Sequence, residues 1–218
     1  MSRFTVQTTI CLSASAVLMV MTELSATHTS RLNYEIATGI FCAVFCLVPI
    51  LLNRLRIMTV PATLVLISIV SVFFHAYGVL LMRYDLVRTW DIFTHTTSSV
   101  VVSLCAFYAL LCIDRFDKGM RTSPLMMHVY IILITMTFSV VWEVFELLAD
   151  NIWSIHMQYS PWDTVKDFGC DALGALIIVA YAGLFYRYRD PDELIEDLDL
   201  HPGLVRYLEA HSDAGQDA

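Results

Sequence analysis

Carboxylate and imidazole side chains recur at helical spacings in this 218-residue chain. They form three groups: Asp91 with His95; Glu143 with Glu146 and Asp150; and Asp163 with Asp167 and Asp171. Residues three, four, seven or eight positions apart lie on one face of an α-helix. Each group therefore predicts one polar stripe on one helix. The stripes reach similar depths from the ends of their helices, which indicates one shared pocket.

Seven carboxylates in these groups are close in sequence to only one lysine, Lys166. They cannot all remain ionised and unpaired in a low-dielectric site, so some must be protonated, solvated or bound to cations. Helix phase predicts that Lys166 points away from the Asp163 stripe. Oxygen ligands favour Mg²⁺ or Mn²⁺, and histidine favours Zn²⁺. A divalent metal ion is therefore the expected cofactor.

Within this set we predict four metal ligands and one general base that acts on metal-bound water. The ligands are His95, Glu143, Asp167 and Asp171, the base is Glu146, and His75, Asp91, Asp150 and Asp163 are further candidates. Other roles remain open for some of them. His75 is also consistent with a hydrogen-bonded residue of a helix bundle, and Asp163 with the N-cap of its helix. Asp150 and Asp163 are also consistent with carboxylates that are solvated by water at the membrane interface.

The composition indicates the solvent in which these helices fold. The chain is 57% hydrophobic and 16% charged, with a mean hydropathy of +0.65, which is too apolar for a soluble domain. Six segments are long enough to cross a bilayer. They are residues 6–26, 34–52, 62–82, 93–113, 125–149 and 164–186. We predict an all-α, polytopic helix bundle over residues 1–189, followed by an acidic amphipathic tail over residues 190–218.

Charge distribution predicts the orientation of the bundle. Eight lysines and arginines fall on one side of the predicted spans and four on the other, which places both termini in the cytoplasm of a cell-membrane protein. The acidic groups then lie near the outer face. The tail has nine acids against one base and accounts for the formal net charge of −8. Such a tail repels nucleic acid and anionic lipid head groups, so no nucleic-acid partner is expected.

Three tryptophan-led motifs occur in order along the chain. They are WDxxxH at Trp90–His95, WExxE at Trp142–Glu146 and WDxxxDxxxDxxGA at Trp162–Ala175. Over residues 62–186 the chain resembles the YjdF-like inner-membrane proteins and, more distantly, the VanZ-like group. The resemblance implies a polytopic membrane protein whose activity is not established.

Three functions fit these observations. The first is a metal-dependent hydrolase or transferase acting on a lipid-like or small-molecule substrate that enters from the membrane, since the acids outnumber the ligands of one ion. The second is an ion- or proton-coupled transporter, although no inverted repeat and no Gly or Pro break within a span is visible. The third is a structural membrane subunit. The oligomeric state is left open.

Overall fold

The computed structural model describes residues 3–26, 32–116, 122–155, 157–158, 160–188 and 190–214. These residues form ten helices. They are α1 (Arg3–Ala26), α2 (Leu32–Phe45), α3 (Val48–Arg54), α4 (Ala62–Leu80), α5 (Arg83–Leu86), α6 (Trp90–Phe116), α7 (Pro124–Trp153), α8 (Pro161–Tyr188), α9 (Pro191–Asp197) and α10 (Pro202–Ala214). Within the described residues there is no strand, only an isolated bridge between Met58 and Leu200. The predicted all-α bundle is confirmed.

Five helices are long and apolar enough to cross a membrane: α1, α4, α6, α7 and α8. The pair α2 and α3 makes a sixth span only if the two are counted together, because they meet at an angle of 40°. The predicted span over residues 34–52 coincides with this pair and is interrupted at residues 46–47, between the two helices. Pro49 lies in the first turn of α3, where its missing N–H and fixed φ are tolerated at a helix start but not inside a longer helix. The expectation that no span is broken at a proline is wrong for the same reason.

The helices pack in two groups. One consists of α1, α2 and α4, the other of α6, α7 and α8, and α4 joins them by packing on α6. Gly174 sets the approach of α8 to α6, because a Cβ there would lie 2.7 Å from Cβ of Ser99 and 2.8 Å from the carbonyl oxygen of Thr96. Small residues at such crossings let two backbones come close. The acidic stripe of α8 is thereby brought against the start of α6.

The tail begins with a capped helix, α9: the Asp190 side chain accepts a hydrogen bond from the backbone N–H of Asp192 at 3.0 Å. This helix is not simply solvated. Leu194 and Leu198 are buried in the main core, and the N–H of Thr59 donates to the carbonyl oxygen of Leu198 at 3.1 Å. The tail thus packs against the end of the bundle opposite to the acidic stripes. The predicted boundary between the helix bundle and the tail, at residue 190, stays a prediction.

Candidate metal centre

His95 lies at the centre of the polar stripes, one turn into α6. Its Nε2 is 3.5 Å from Oδ1 of Asp91 and 4.0 Å from Oδ1 of Asp167. One ligand atom from each of these three residues, here called the triad, lies within 4.8 Å of the other two. The triad could therefore hold a metal ion. Asp91, predicted only as a further candidate, is one of its members.

Asp171 lies on the other side of the same imidazole. Its Oδ1 is 3.4 Å from Nδ1 of His95. Ser99 donates to Oδ1 at 2.5 Å, and Ser139 of α7 donates to Oδ2. The carboxylate is thus held by donors from α6 and α7 and is itself in a position to accept the Nδ1 proton. This is the arrangement in which a carboxylate orients a metal-binding histidine from behind.

Lys166 faces the triad instead of pointing away from it. Its Nζ is 2.9 Å from Oδ2 of Asp91, 2.6 Å from Oδ1 of Asp163 and 3.7 Å from Oδ1 of Asp167. The expectation from helix phase is therefore wrong. The four-carbon stem of a lysine lets the ammonium reach back by one helical turn, so its Cα direction does not fix where its charge lies.

Two buried carboxylates keep oxygens without a hydrogen-bond partner among the described residues. Asp167 is 1% exposed, and its Oδ1, the atom that faces His95, has none. Glu143 is 5% exposed, and neither of its carboxylate oxygens has one. A buried carboxylate oxygen without a donor is costly unless a proton, a water or a cation satisfies it. Glu143, however, lies outside the triad, and its predicted role as a ligand stays a prediction.

Glu146, the predicted base, is also buried. The indole Nε1 of Trp142 donates to its Oε1 at 2.8 Å, one turn earlier on α7. The ring of Trp142 meets the ring of His75 edge to face, with centroids 5.9 Å apart. Glu146 is thus anchored at one oxygen, and Trp142 connects it to α4.

His75 pairs with Tyr84 of α5, whose hydroxyl lies 2.9 Å from Nδ1 of His75. Burial raises the pKa of the Tyr84 phenol, so the hydroxyl keeps its proton and stays neutral beside the imidazole. His75 is therefore a hydrogen-bonded residue of the bundle, the alternative that its sequence position left open.

The two acids expected near interfacial water have local partners. Asp150 accepts hydrogen bonds from the backbone N–H groups of Met157 at 2.6 Å and Gln158 at 2.8 Å, so it stabilises the turn after α7. Asp163 contacts Lys166. Asp163 is not the N-cap of its helix, because α8 already begins at Pro161.

A cavity of about 330 Å³ lies between the two groups of helices. We call it the polar cavity because one end of it is lined by charged and polar side chains. Its polar end includes His75, Asp91, His95, Glu146 and Asp171. Of the five deep residues expected to face one cavity, His95, Glu146 and Asp171 line it; Glu143 and Asp167 do not appear in its wall.

The rest of this cavity is largely apolar. Phe41 of α2 and Phe138 of α7 line it and are also strongly exposed on the surface of the bundle. Because α2 packs on α1 and α4 whereas α7 packs on α6 and α8, the cavity opens sideways between α2 and α7. The apolar side chains of Phe41 and Phe138 flank this opening.

Comparison with known protein families places this chain in a family. The family model described as "Predicted membrane protein (DUF2238)" matches residues 9–190. The chain belongs to this family. The match covers the predicted spans from residue 9 onward and every residue of the site described above. No curated protein matches the chain, and neither does any solved structure. Family membership confirms a polytopic membrane protein; the narrower resemblance to YjdF-like and VanZ-like proteins stays a prediction.

Sequence reasoning missed two carboxylates that line the polar cavity of this DUF2238 protein, Glu35 of α2 and Asp85 of α5. Glu35 of α2 is buried, lines the polar cavity and lies 2.6 Å from the hydroxyl of Ser25. The signal was present, because an acid inside an apolar span is expensive and marks a functional or packing site. It was overlooked because Glu35 has no neighbouring acid at helical spacing.

Proposed function

We propose that this DUF2238 protein is a divalent-metal-dependent hydrolase or transferase of lipid-like substrates, with Asp91, His95 and Asp167 as the metal ligands. The observation that carries the proposal is the placement of the His95 imidazole. Its Nδ1 faces Asp171, while its Nε2 faces the carboxylates of Asp91 and Asp167. With the Nδ1 proton donated to Asp171, the Nε2 lone pair points at two anionic groups unless a proton or a metal ion lies between them.

The unpartnered oxygen of Asp167 supports a metal ion at this position. Lys166 supplies one positive charge to a group of three carboxylates, those of Asp91, Asp163 and Asp167. One ammonium leaves negative charge uncompensated in a buried site, which a divalent cation would neutralise. The mixed nitrogen and oxygen donors suit Zn²⁺ or Mn²⁺, and Mg²⁺ less well.

Such an ion would supply Lewis-acid activation of a bound water. The proposed role of Glu146 is to accept a proton from that water. The hydrogen bond from Trp142 occupies only Oε1, which leaves Oε2 for the proton. Both His95 and Glu146 line the polar cavity, so a substrate in the cavity would meet both groups.

The shape of the cavity supports an amphiphilic substrate. It combines a charged end with an apolar body that opens between α2 and α7. A lipid could enter from the bilayer with its head group at the charged end and its chain along the apolar walls, without crossing water.

Element analysis of detergent-purified protein tests the metal, and a screen for head-group release from defined lipids tests the activity. We expect one divalent ion for each wild-type chain and a loss of both metal and activity in His95→Ala. Glu35→Gln is the matched control: it alters another buried carboxylate of the same cavity, and its side-chain oxygen can still accept the hydrogen bond from Ser25. Wild-type protein without metal after purification in metal-supplemented buffer would refute the proposal.

A second candidate is cation- or proton-coupled transport, favoured by the broken span formed by α2 and α3. Broken helices form binding sites in many transporters. Ion flux into liposomes that requires His95, in protein that contains no metal, would support this alternative.

A further inference from the structure

A second cavity, of about 370 Å³, lies on the tail side of the bundle. We call it the apolar cavity, because no Asp, Glu, Lys, Arg or His is among its lining residues. Helices α3, α4 and α6 form most of its wall. Part of the remaining wall comes from the tail, through Leu198, Leu200, Leu204 and Leu208.

The two cavities share part of their wall inside the bundle. Phe45, Ser68, Val72 and Val101 line both of them. On α6, His95 lines the polar cavity and Ala109 lines the apolar one. At 1.5 Å per residue these two positions are about 21 Å apart along the helix axis. The two cavities thus follow one another along α6, from the charged residues to the tail.

We infer that the apolar cavity binds the hydrocarbon chain of a membrane lipid whose head group lies in the polar cavity. The identity of the head-group end rests on the proposed function. The position of the hydrocarbon chain follows from the walls of the apolar cavity, which offer few polar groups that could hold water. An apolar cavity of about 150 Å³ is enough to bind benzene, so this one has room for roughly a dozen carbon atoms of a chain.

The tail closes one side of this cavity. Leu198 is buried in the main core, and the hydrogen bond from Thr59 to its carbonyl oxygen ties the tail to the loop before α4. His201 donates its N–H to the carbonyl oxygen of Ile57 at 3.0 Å. The wall supplied by the tail is therefore held by backbone hydrogen bonds on both sides of Leu200.

Photolabelling with lysophosphatidylcholine tests the inference. Two probes are used in nanodiscs, one with a diazirine at the end of a palmitoyl chain and one with the diazirine beside the ester. We expect the terminal diazirine to label the apolar cavity, around Cys105, Ala109 and Leu204, and the ester-proximal diazirine to label α7 between Phe138 and Glu146.

Ala109→Phe should reduce terminal labelling of the apolar cavity about tenfold, because the ring takes volume that the chain needs. Ala180→Phe is the matched control, since Ala180 is exposed on α8 and lines neither cavity. Cys105→Phe, one turn before Ala109, repeats the test if Ala109→Phe does not fold. Labelling that is unchanged in both cavity variants, or equally strong on the exposed Leu173 and Leu176 of α8, would overturn the inference.

His95→Ala keeps this result separate from the metal proposal, because it removes a proposed ligand but no wall of the apolar cavity. Terminal labelling should persist in this variant. Labelling of the apolar cavity in wild-type protein that holds no metal contradicts the proposed function and supports the binding of a chain. Metal-dependent activity without labelling of the apolar cavity overturns the inference about the hydrocarbon chain but leaves the proposed function standing.

Discussion

Asp171 holds His95 from the side opposite to the proposed metal position, with its Oδ1 3.4 Å from Nδ1 of the imidazole. The two residues come from different helices, α8 and α6. Hydrogen bonds from Ser99 and Ser139 fix the carboxylate in turn. The orientation of the imidazole ring therefore depends on how α6, α7 and α8 pack.

Asp171→Asn should weaken metal binding without abolishing it. Loss of an orienting carboxylate typically lowers metal affinity roughly 10- to 100-fold, whereas His95→Ala removes a ligand outright. Titration with Zn²⁺ against a competing chelator measures both affinities. Equal losses in the two variants would indicate that Asp171 is itself a ligand, as the sequence predicted, and an unchanged affinity would exclude both roles.

Asp167→Asn and Glu143→Gln separate the triad from the ligand set predicted from the sequence. With free metal a hundredfold above its dissociation constant, bound ion stabilises the wild-type protein by about 2.7 kcal/mol. Asp167→Asn should lose this stabilisation, because it removes a charged ligand oxygen at nearly constant volume. Glu143→Gln should keep it, because Glu143 lies outside the triad. Thermal unfolding with and without added ion makes the comparison. If Glu143→Gln also loses the stabilisation by metal, Glu143 is a ligand, as the sequence predicted.

Lys166→Gln should make the metal-free protein less stable and the effect of added metal larger. The ammonium lies within 4 Å of three carboxylates, which would repel one another once it is removed. Lys166→Arg keeps the positive charge and serves as the control. If Lys166→Gln melts like the wild type both with and without divalent ion, Lys166 contributes nothing to the charge balance of the site.

Gly174→Ala should destabilise the bundle by about 1–3 kcal/mol, because the added methyl group would overlap Ser99 and the backbone of α6. Gly169→Ala, on the same helix, is the matched control. A Cβ at Gly169 meets nothing within 4 Å, so this change should stabilise the helix by up to about 1 kcal/mol. Thermal unfolding in detergent compares the two variants. A neutral effect of Gly174→Ala would show that α6 and α8 are not in close contact at the site.

Ser154→Cys tests the predicted orientation. Ser154 is exposed just after α7, on the side assigned to the outside of the cell. A membrane-impermeant maleimide should label it in intact cells, whereas the cysteines already present lie within the spanning helices or are buried. Labelling only after permeabilisation would reverse the topology and place the acidic cluster at the cytoplasmic face.

Much of the site followed from periodicity and the cost of charge in a bilayer. His95, Glu143, Glu146, Asp167 and Asp171 are all buried, as their stripes predicted. An ionisable side chain in a span must face protein or water rather than lipid, so local spacing was enough to give each helix its inward face. The approximate positions of the spanning helices followed from apolar length in the same way.

Which of these side chains meet was decided only by the tertiary structure. Periodicity sets the rotation of one helix about its own axis but not which neighbour it faces. The close crossing at Gly174 brings Asp167 and Asp171 to opposite sides of the His95 ring and leaves Glu143 outside the triad. The direction of Lys166 depended on the conformation of a long side chain and on a partner, Asp91, that is 75 residues away along the chain. Contacts between distant segments of this kind form only when the helices pack.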